Sequence, residues 1–185
     1  MESFWISTGV VALAEMGDKT QLLALILATR FKKPMPIVLG IFLATVLNHG
    51  LAGALGAWIT SNVDPNWLRW GLGISFIAMG FWALAPDKFE SEQAALKGNW
   101  GVFGATFVLF FIAEIGDKTQ LATVALAANY TSTSSVVIGT TLGMLIANVP
   151  AVLLGDKILS RIPMRLLRWV AAFIFVILGG WTILS

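Results

Sequence analysis

Two seven-residue stretches carry all of the acidic groups that lie within this chain's long apolar runs. Glu15-Met16-Gly17-Asp18-Lys19-Thr20-Gln21 places three ionisable side chains inside an apolar run, and Glu114-Ile115-Gly116-Asp117-Lys118-Thr119-Gln120 repeats it 99 residues later with one change, Met to Ile. Carboxylates, a hydroxyl and an amide offer hard oxygen ligands, and the chain has no cysteine to offer a thiolate. Such a set suits Mg²⁺, Ca²⁺ or Mn²⁺ better than Zn²⁺ or Cu⁺. On a straight helix Glu15 and Asp18 project from neighbouring positions on one face, and Lys19, four residues from Glu15, can pair with it. Gln21 extends the polar strip. Glu114, Asp117, Lys118 and Gln120 repeat the arrangement. Gly17 and Gly116 have no side chain, so a second backbone can approach or the helix can loosen there. Thr20 and Thr119 supply hydroxyls to backbone or ligand.

Four carboxylates and two ammonium groups sum to −2 when all are ionised. One divalent cation neutralises that charge, and so do two protons. Acids this close titrate as a coupled set. A site that holds either a metal ion or protons, reached alternately from two sides, is an antiporter in outline. The metal is then a substrate, and no cofactor is expected. Asn48, His49 and Asn148 fall midway along two other apolar segments, where amide oxygens could complete the shell. For His49 a helix-packing hydrogen bond is an equal alternative to ligand or proton-relay work. Lys19 and Lys118 read as charge-balancing groups, and Glu–Lys pairs that merely join helices are the structural alternative.

The elements that must position these groups are membrane helices. Of 185 residues 57% are hydrophobic and 12% charged, with a mean hydropathy of +0.83. A soluble domain carries roughly 25% charged residues. Six apolar segments are long enough for the ~30 Å hydrocarbon core: Phe4–Thr29, Pro36–Thr60, Trp67–Ala85, Gly101–Asn129, Ser135–Leu154 and Leu166–Leu184. The first and fourth hold the motifs and are the longest, which leaves room for tilt or for a break at Gly17 and Gly116. Residues 1–29 read as a retained first helix, not a cleavable signal. The stretch from Pro86 to Trp100 is the longest connection, with a short surface helix expected around Glu92–Leu96. Seven of the eight Trp residues fall near predicted helix ends, as an aromatic belt at the headgroups requires. The Gly-rich runs Gly50–Gly56, Gly71–Gly80 and Gly139–Gly143 suit close helix packing.

Sliding the chain by 99 residues aligns far more than the motif. Phe4 meets Phe103, Gly40 meets Gly139, Leu68-Arg69-Trp70 meets Leu167-Arg168-Trp169, and Gly80-Phe81-Trp82 meets Gly179-Gly180-Trp181. The predicted architecture is an all-α polytopic membrane protein of six transmembrane helices. Residues 1–85 and 101–185 form two three-helix repeats around a connecting loop at 86–100. Three is odd, so the second repeat enters from the opposite side, and inverted repeats are the build of secondary transporters with midplane sites. Outside the motifs, the loops after the first, third and fifth segments carry Arg30, Lys32, Lys33, Lys88, Lys97, Lys157, Arg161, Arg165 and Arg168, against Arg69 alone on the other side. The positive-inside rule then puts both termini away from the cytoplasm.

The paired E-φ-G-D-K-T motifs resemble the E-φ-G-D-[KR]-[TS] signature of the GDT family of cation/proton exchangers, over essentially the whole chain. The resemblance implies transport of Mn²⁺, with Ca²⁺ as a second substrate, coupled to H⁺, and it points to Glu15, Asp18, Glu114 and Asp117 as the cation and proton site. The short middle loop looks like a prokaryotic member of the cyanobacterial manganese-exporter type, in a plasma membrane or thylakoid. The expected partners are a divalent ion, protons and the lipid bilayer, with no nucleic acid. The sequence leaves oligomeric state open. Two other functions fit less well. An exporter of small organic cations or amino acids would use the acids for an ammonium group. An intramembrane enzyme would need its acid and base in different environments, which the symmetric motifs do not suggest.

Overall fold

A computed structural model describes residues 1–85, 101–155 and 163–184. Those residues form eight α-helices and no strand. They are α1 (Glu2–Glu15), α2 (Lys19–Phe31), α3 (Pro34–Asn62), α4 (Pro65–Leu84), α5 (Gly101–Glu114), α6 (Lys118–Asn129), α7 (Thr133–Leu154) and α8 (Met164–Leu184). The expected surface helix at Glu92–Leu96, Trp100, and the basic residues Lys88, Lys97, Lys157 and Arg161 lie outside the described residues.

Four helices, α3, α4, α7 and α8, are long and apolar enough to cross a membrane. Their starts are set locally. Pro34 and Pro65 stand at the first helical position, where a missing N–H costs nothing. The Asp64 carboxylate caps α4 by accepting from Asn66 N at 2.9 Å. Charged and polar side chains are buried while large apolar ones face outward, the reverse of a water-soluble fold. Glu15, Glu114, Asn148 and His49 are fully buried, whereas Leu51, Phe81, Ile138 and Phe173 are more than half exposed. That polarity suits a hydrocarbon surround, and the chain is an integral membrane protein. Trp5, Trp58, Trp67, Trp169 and Trp181, all near helix ends, are exposed as well.

The first and fourth apolar segments are each two helices, not one. The expected break occurs at both glycines, with φ +84° at Gly17 and +74° at Gly116, a region that L side chains enter only at a cost.

Close packing occurs where glycine removes a side chain. α4 lies on α8, and a Cβ on Gly179 would meet the Gly73 carbonyl at 2.6 Å, one on Gly80 the Ala172 carbonyl at 3.0 Å. α1 lies on α7 with Gly139 against the Phe4 carbonyl, and α5 lies on α3 with Gly40 against the Phe103 carbonyl. Phe4 and Phe103 are repeat partners, as are Gly40 and Gly139, so one contact is made twice with the halves exchanged.

Apolar packing collects in two clusters. One takes Val10 and Ala14 of α1, the buried faces of α4 and α8, and Ala122–Ala128 of α6. The other takes Leu23–Leu27 of α2, Ile37–Ala44 of α3, Leu109 and Phe110 of α5, and Ala151 of α7. The chain therefore crosses from one cluster to the other at Gly17 and again at Gly116. Both motifs sit on that boundary.

Candidate cation site

Each motif first builds its own helix break. Asp18 and Asp117 are the N-caps of α2 and α6, in extended conformation. Their backbone N–H groups turn back to Glu15 O at 3.0 Å and Glu114 O at 3.1 Å. The N–H of each glycine is taken by the glutamine four residues on, Gly17 N to Gln21 Oε1 at 2.9 Å and Gly116 N to Gln120 Oε1 at 2.8 Å. Buried backbone groups freed by a break need such partners. Gln21 and Gln120 thus each give one lone pair of the amide oxygen to the fold.

The break also overturns the straight-helix pairing. Both lysines reach across to the aspartate of the other motif. Lys19 Nζ lies 2.7 Å from Asp117 Oδ1, and Lys118 Nζ lies 2.5 Å from Asp18 Oδ1. A glycine in the left-handed region redirects the chain between Glu15 and Lys19, so a four-residue spacing no longer means a shared face. The ion pairs run across the two motifs.

With the lysines turned to the aspartates, the glutamates meet. Glu15, Glu114 and Asp117 each offer a carboxylate oxygen, and these atoms lie within 4.8 Å of one another. All three residues are buried, the glutamates completely. Thr20 Oγ1 donates to Glu15 Oε2 at 2.5 Å, and Thr119 Oγ1 reaches both Glu114 Oε2 at 3.2 Å and Asp117 Oδ2 at 3.4 Å. The other oxygen of each glutamate, Oε1, has no hydrogen-bond partner among the described residues. Two buried acceptors left open beside a third carboxylate require a cation, protons or water.

The remaining expected residues divide. Asn48 Nδ2 donates to Phe111 O at 3.2 Å and its Oδ1 accepts from Gln120 Nε2 at 3.3 Å, so it braces α3 against the second break. Gln21 Nε2 donates to Ala147 O at 2.7 Å. Ala147 occupies the repeat position of Asn48, and a backbone carbonyl does there what a side chain does in the other half. No residue type could have announced that acceptor. Asn148 donates to Met144 O at 3.0 Å, and its buried Oδ1 lacks a partner among the described residues. His49 is fully buried, has no partner on either ring nitrogen among the described residues, and is not among the clustered groups.

The comparisons with known proteins agree with this chemistry. The pattern of the family described as divalent cation/proton antiporter GDT1 matches residues 3–91 and 102–185. A Vibrio cholerae protein named "Putative manganese exporter" is 50% identical over 94% of this chain and 86% of its own length. The GDT1-like protein sll0615 of Synechocystis is 28% identical over 94% of each chain, and GDT1-like protein 3 of rice is 27% identical over 95% of this chain and 71% of its own. No solved structure matches. The chain belongs to the GDT1 family of divalent cation/proton antiporters.

Proposed function

We propose that this antiporter exports Mn²⁺ from the cytoplasm in exchange for protons, with Ca²⁺ as a second substrate, and binds the ion among Glu15, Glu114 and the motif aspartates. The observation that carries this reading is the convergence of two fully buried glutamates, each with an open carboxylate oxygen, on Asp117 within 4.8 Å. Oxygens on opposite sides of an octahedral ion are about 4.2 Å apart at Mg²⁺-like distances and about 5 Å at Ca²⁺ distances. The cluster suits one bare divalent ion and leaves little room for an organic cation. The name of the Vibrio relative favours manganese.

The proposed architecture is six crossings in two inverted repeats, residues 1–85 and 101–185. α1 with α2, and α5 with α6, would each make one crossing. At 1.5 Å per residue, single helices of 14 or 13 residues reach only about 21 Å. The exchange of roles between Phe4–Gly139 and Phe103–Gly40 supports the inverted repeat. The basic residues after the first, third and fifth crossings support non-cytoplasmic termini, and a plasma membrane is the simplest setting.

Export then follows from charge. Facing the cytoplasm, the acids release protons and take the metal. Facing outward, protons replace it and the neutralised site returns. Protons compete with Mn²⁺ for the same oxygens, so metal capture weakens as pH falls on the loading side. Proteoliposomes with an imposed pH gradient, reporting Mn²⁺, Ca²⁺ and H⁺ flux together, test the reading. Mn²⁺ flux without counter-movement of protons overturns it.

A further inference from the structure

The two lysine–aspartate pairs are equivalent in sequence and unequal in surroundings. The Lys118 side chain is 6% exposed and its partner Asp18 0%, whereas Lys19 is 27% exposed against 2% for Asp117. Asp117 joins the glutamate cluster, and Asp18 is not among the clustered groups. Resting on the site proposed above, we infer that Lys19 and Lys118 are tethered cations that alternate on the aspartates. In this state Lys19 yields Asp117 to the metal while Lys118 holds Asp18. In the state open to the opposite side Lys118 yields Asp18 while Lys19 holds Asp117.

Three features carry the inference. First, the ammonium of Lys19 occupies an oxygen of Asp117, one of the three residues whose carboxylates converge. A divalent ion entering that cluster meets a positive charge a few ångströms away, which competes with it for Asp117. Lys19 thus competes with the metal for Asp117, and its partial exposure on a flexible four-carbon stem gives it a way out. Second, shifting by one repeat carries Glu15, Glu114 and Asp117 onto Glu114, Glu15 and Asp18. The same contacts with the halves exchanged describe a second site in which both glutamates stay and the aspartate changes. Third, both ion pairs bridge α2 and α6, which pack in different apolar clusters. A shift of α2 against α6 changes both pairs together. The metal therefore meets three acids at a time, and the fourth is kept from it by a lysine.

The chain has no cysteine, so single-cysteine variants are clean. Lys19→Cys and Lys118→Cys are reacted with a membrane-impermeant, positively charged methanethiosulfonate in right-side-out and inside-out vesicles. Each cysteine is expected to react from one face only, and the two from opposite faces. Reaction of both from the same face overturns the alternation. In purified Lys19→Cys, Mn²⁺ binding tightens about tenfold if the pair is closed nine-tenths of the time, while exchange falls by at least about tenfold. Aminoethylation of the cysteine, which restores a lysine-like ammonium, reverses both changes on the same folded protein. A neutral methylthio adduct that restores exchange equally well reduces Lys19 to a space-filling role and sinks the inference. Glu15→Gln and Glu114→Gln separate the two proposals. If they keep Mn²⁺ binding, the site itself is wrong. If they lose it while Lys19→Cys binds as the parent does, only the lysine inference fails.

Discussion

The two copies of the motif share six of seven residues and the same local break, yet they are not in the same situation. In the first, Thr20 is committed to Glu15 and Asp18 is enclosed with Lys118. In the second, Thr119 is shared between Glu114 and Asp117, and Asp117 is held by the half-open Lys19. Equal sequences in unequal surroundings are what the inferred alternation requires of a repeat in one of its two states. The difference measures the conformation, while the sameness measures the chemistry available to both.

Glutamates occupy the centre of that comparison because both serve the same cluster. Glu15→Gln and Glu114→Gln, near-isosteric neutralisations, should each bring Mn²⁺/H⁺ exchange in proteoliposomes to the level of protein-free vesicles. Retained flux in either one breaks the shared site. Next come the aspartates, where the copies should part. Asp18→Asn and Asp117→Asn both stop exchange, but equilibrium Mn²⁺ binding should suffer more from Asp117→Asn, by about tenfold or about 1.4 kcal/mol. Equal losses would mean that all four acids bind together. Smaller still is the cost of the break. Gly116 has nothing within 4 Å of where a Cβ would sit, so Gly116→Ala is charged only for its φ of +74°. That is about 1–2 kcal/mol, or a fall in Tm of about 2–8 °C, read by thermal unfolding of the purified protein. The smallest effect tests the brace. Asn48→Ala takes the acceptor from Gln120 Nε2 and should cost about 1 kcal/mol.

Much of the candidate site's inventory was legible because it is doubled. One acidic patch in one apolar helix has many structural explanations, whereas Glu15-to-Gln21 recurring at Glu114-to-Gln120 has few. The positions of Gly17 and Gly116 foretold the breaks, since only glycine enters that backbone region without strain. The pairing of Lys19 was misread because a four-residue spacing specifies a face only while the helix continues. The structural task of Gln21 and Gln120 was not legible, because nothing in the residue type says that the broken backbone beside it will use its oxygen. Gly50 and Gly71, expected in close packing, face open space, while Gly73 and Gly80 on the same segment make the contact.

By itself the sequence determined composition, repeat and inventory: a membrane chain whose two motifs hold four acids, two lysines and two points where a helix would yield. Local physics suffices for these, because hydropathy, charge and glycine's backbone freedom act on a few residues at a time. The tertiary structure decided partnership. Which lysine takes which aspartate, which three acids converge, and which carbonyl stands in for an absent side chain depend on residues about 100 positions apart. Only the packing of two apolar clusters across the breaks brings those residues together.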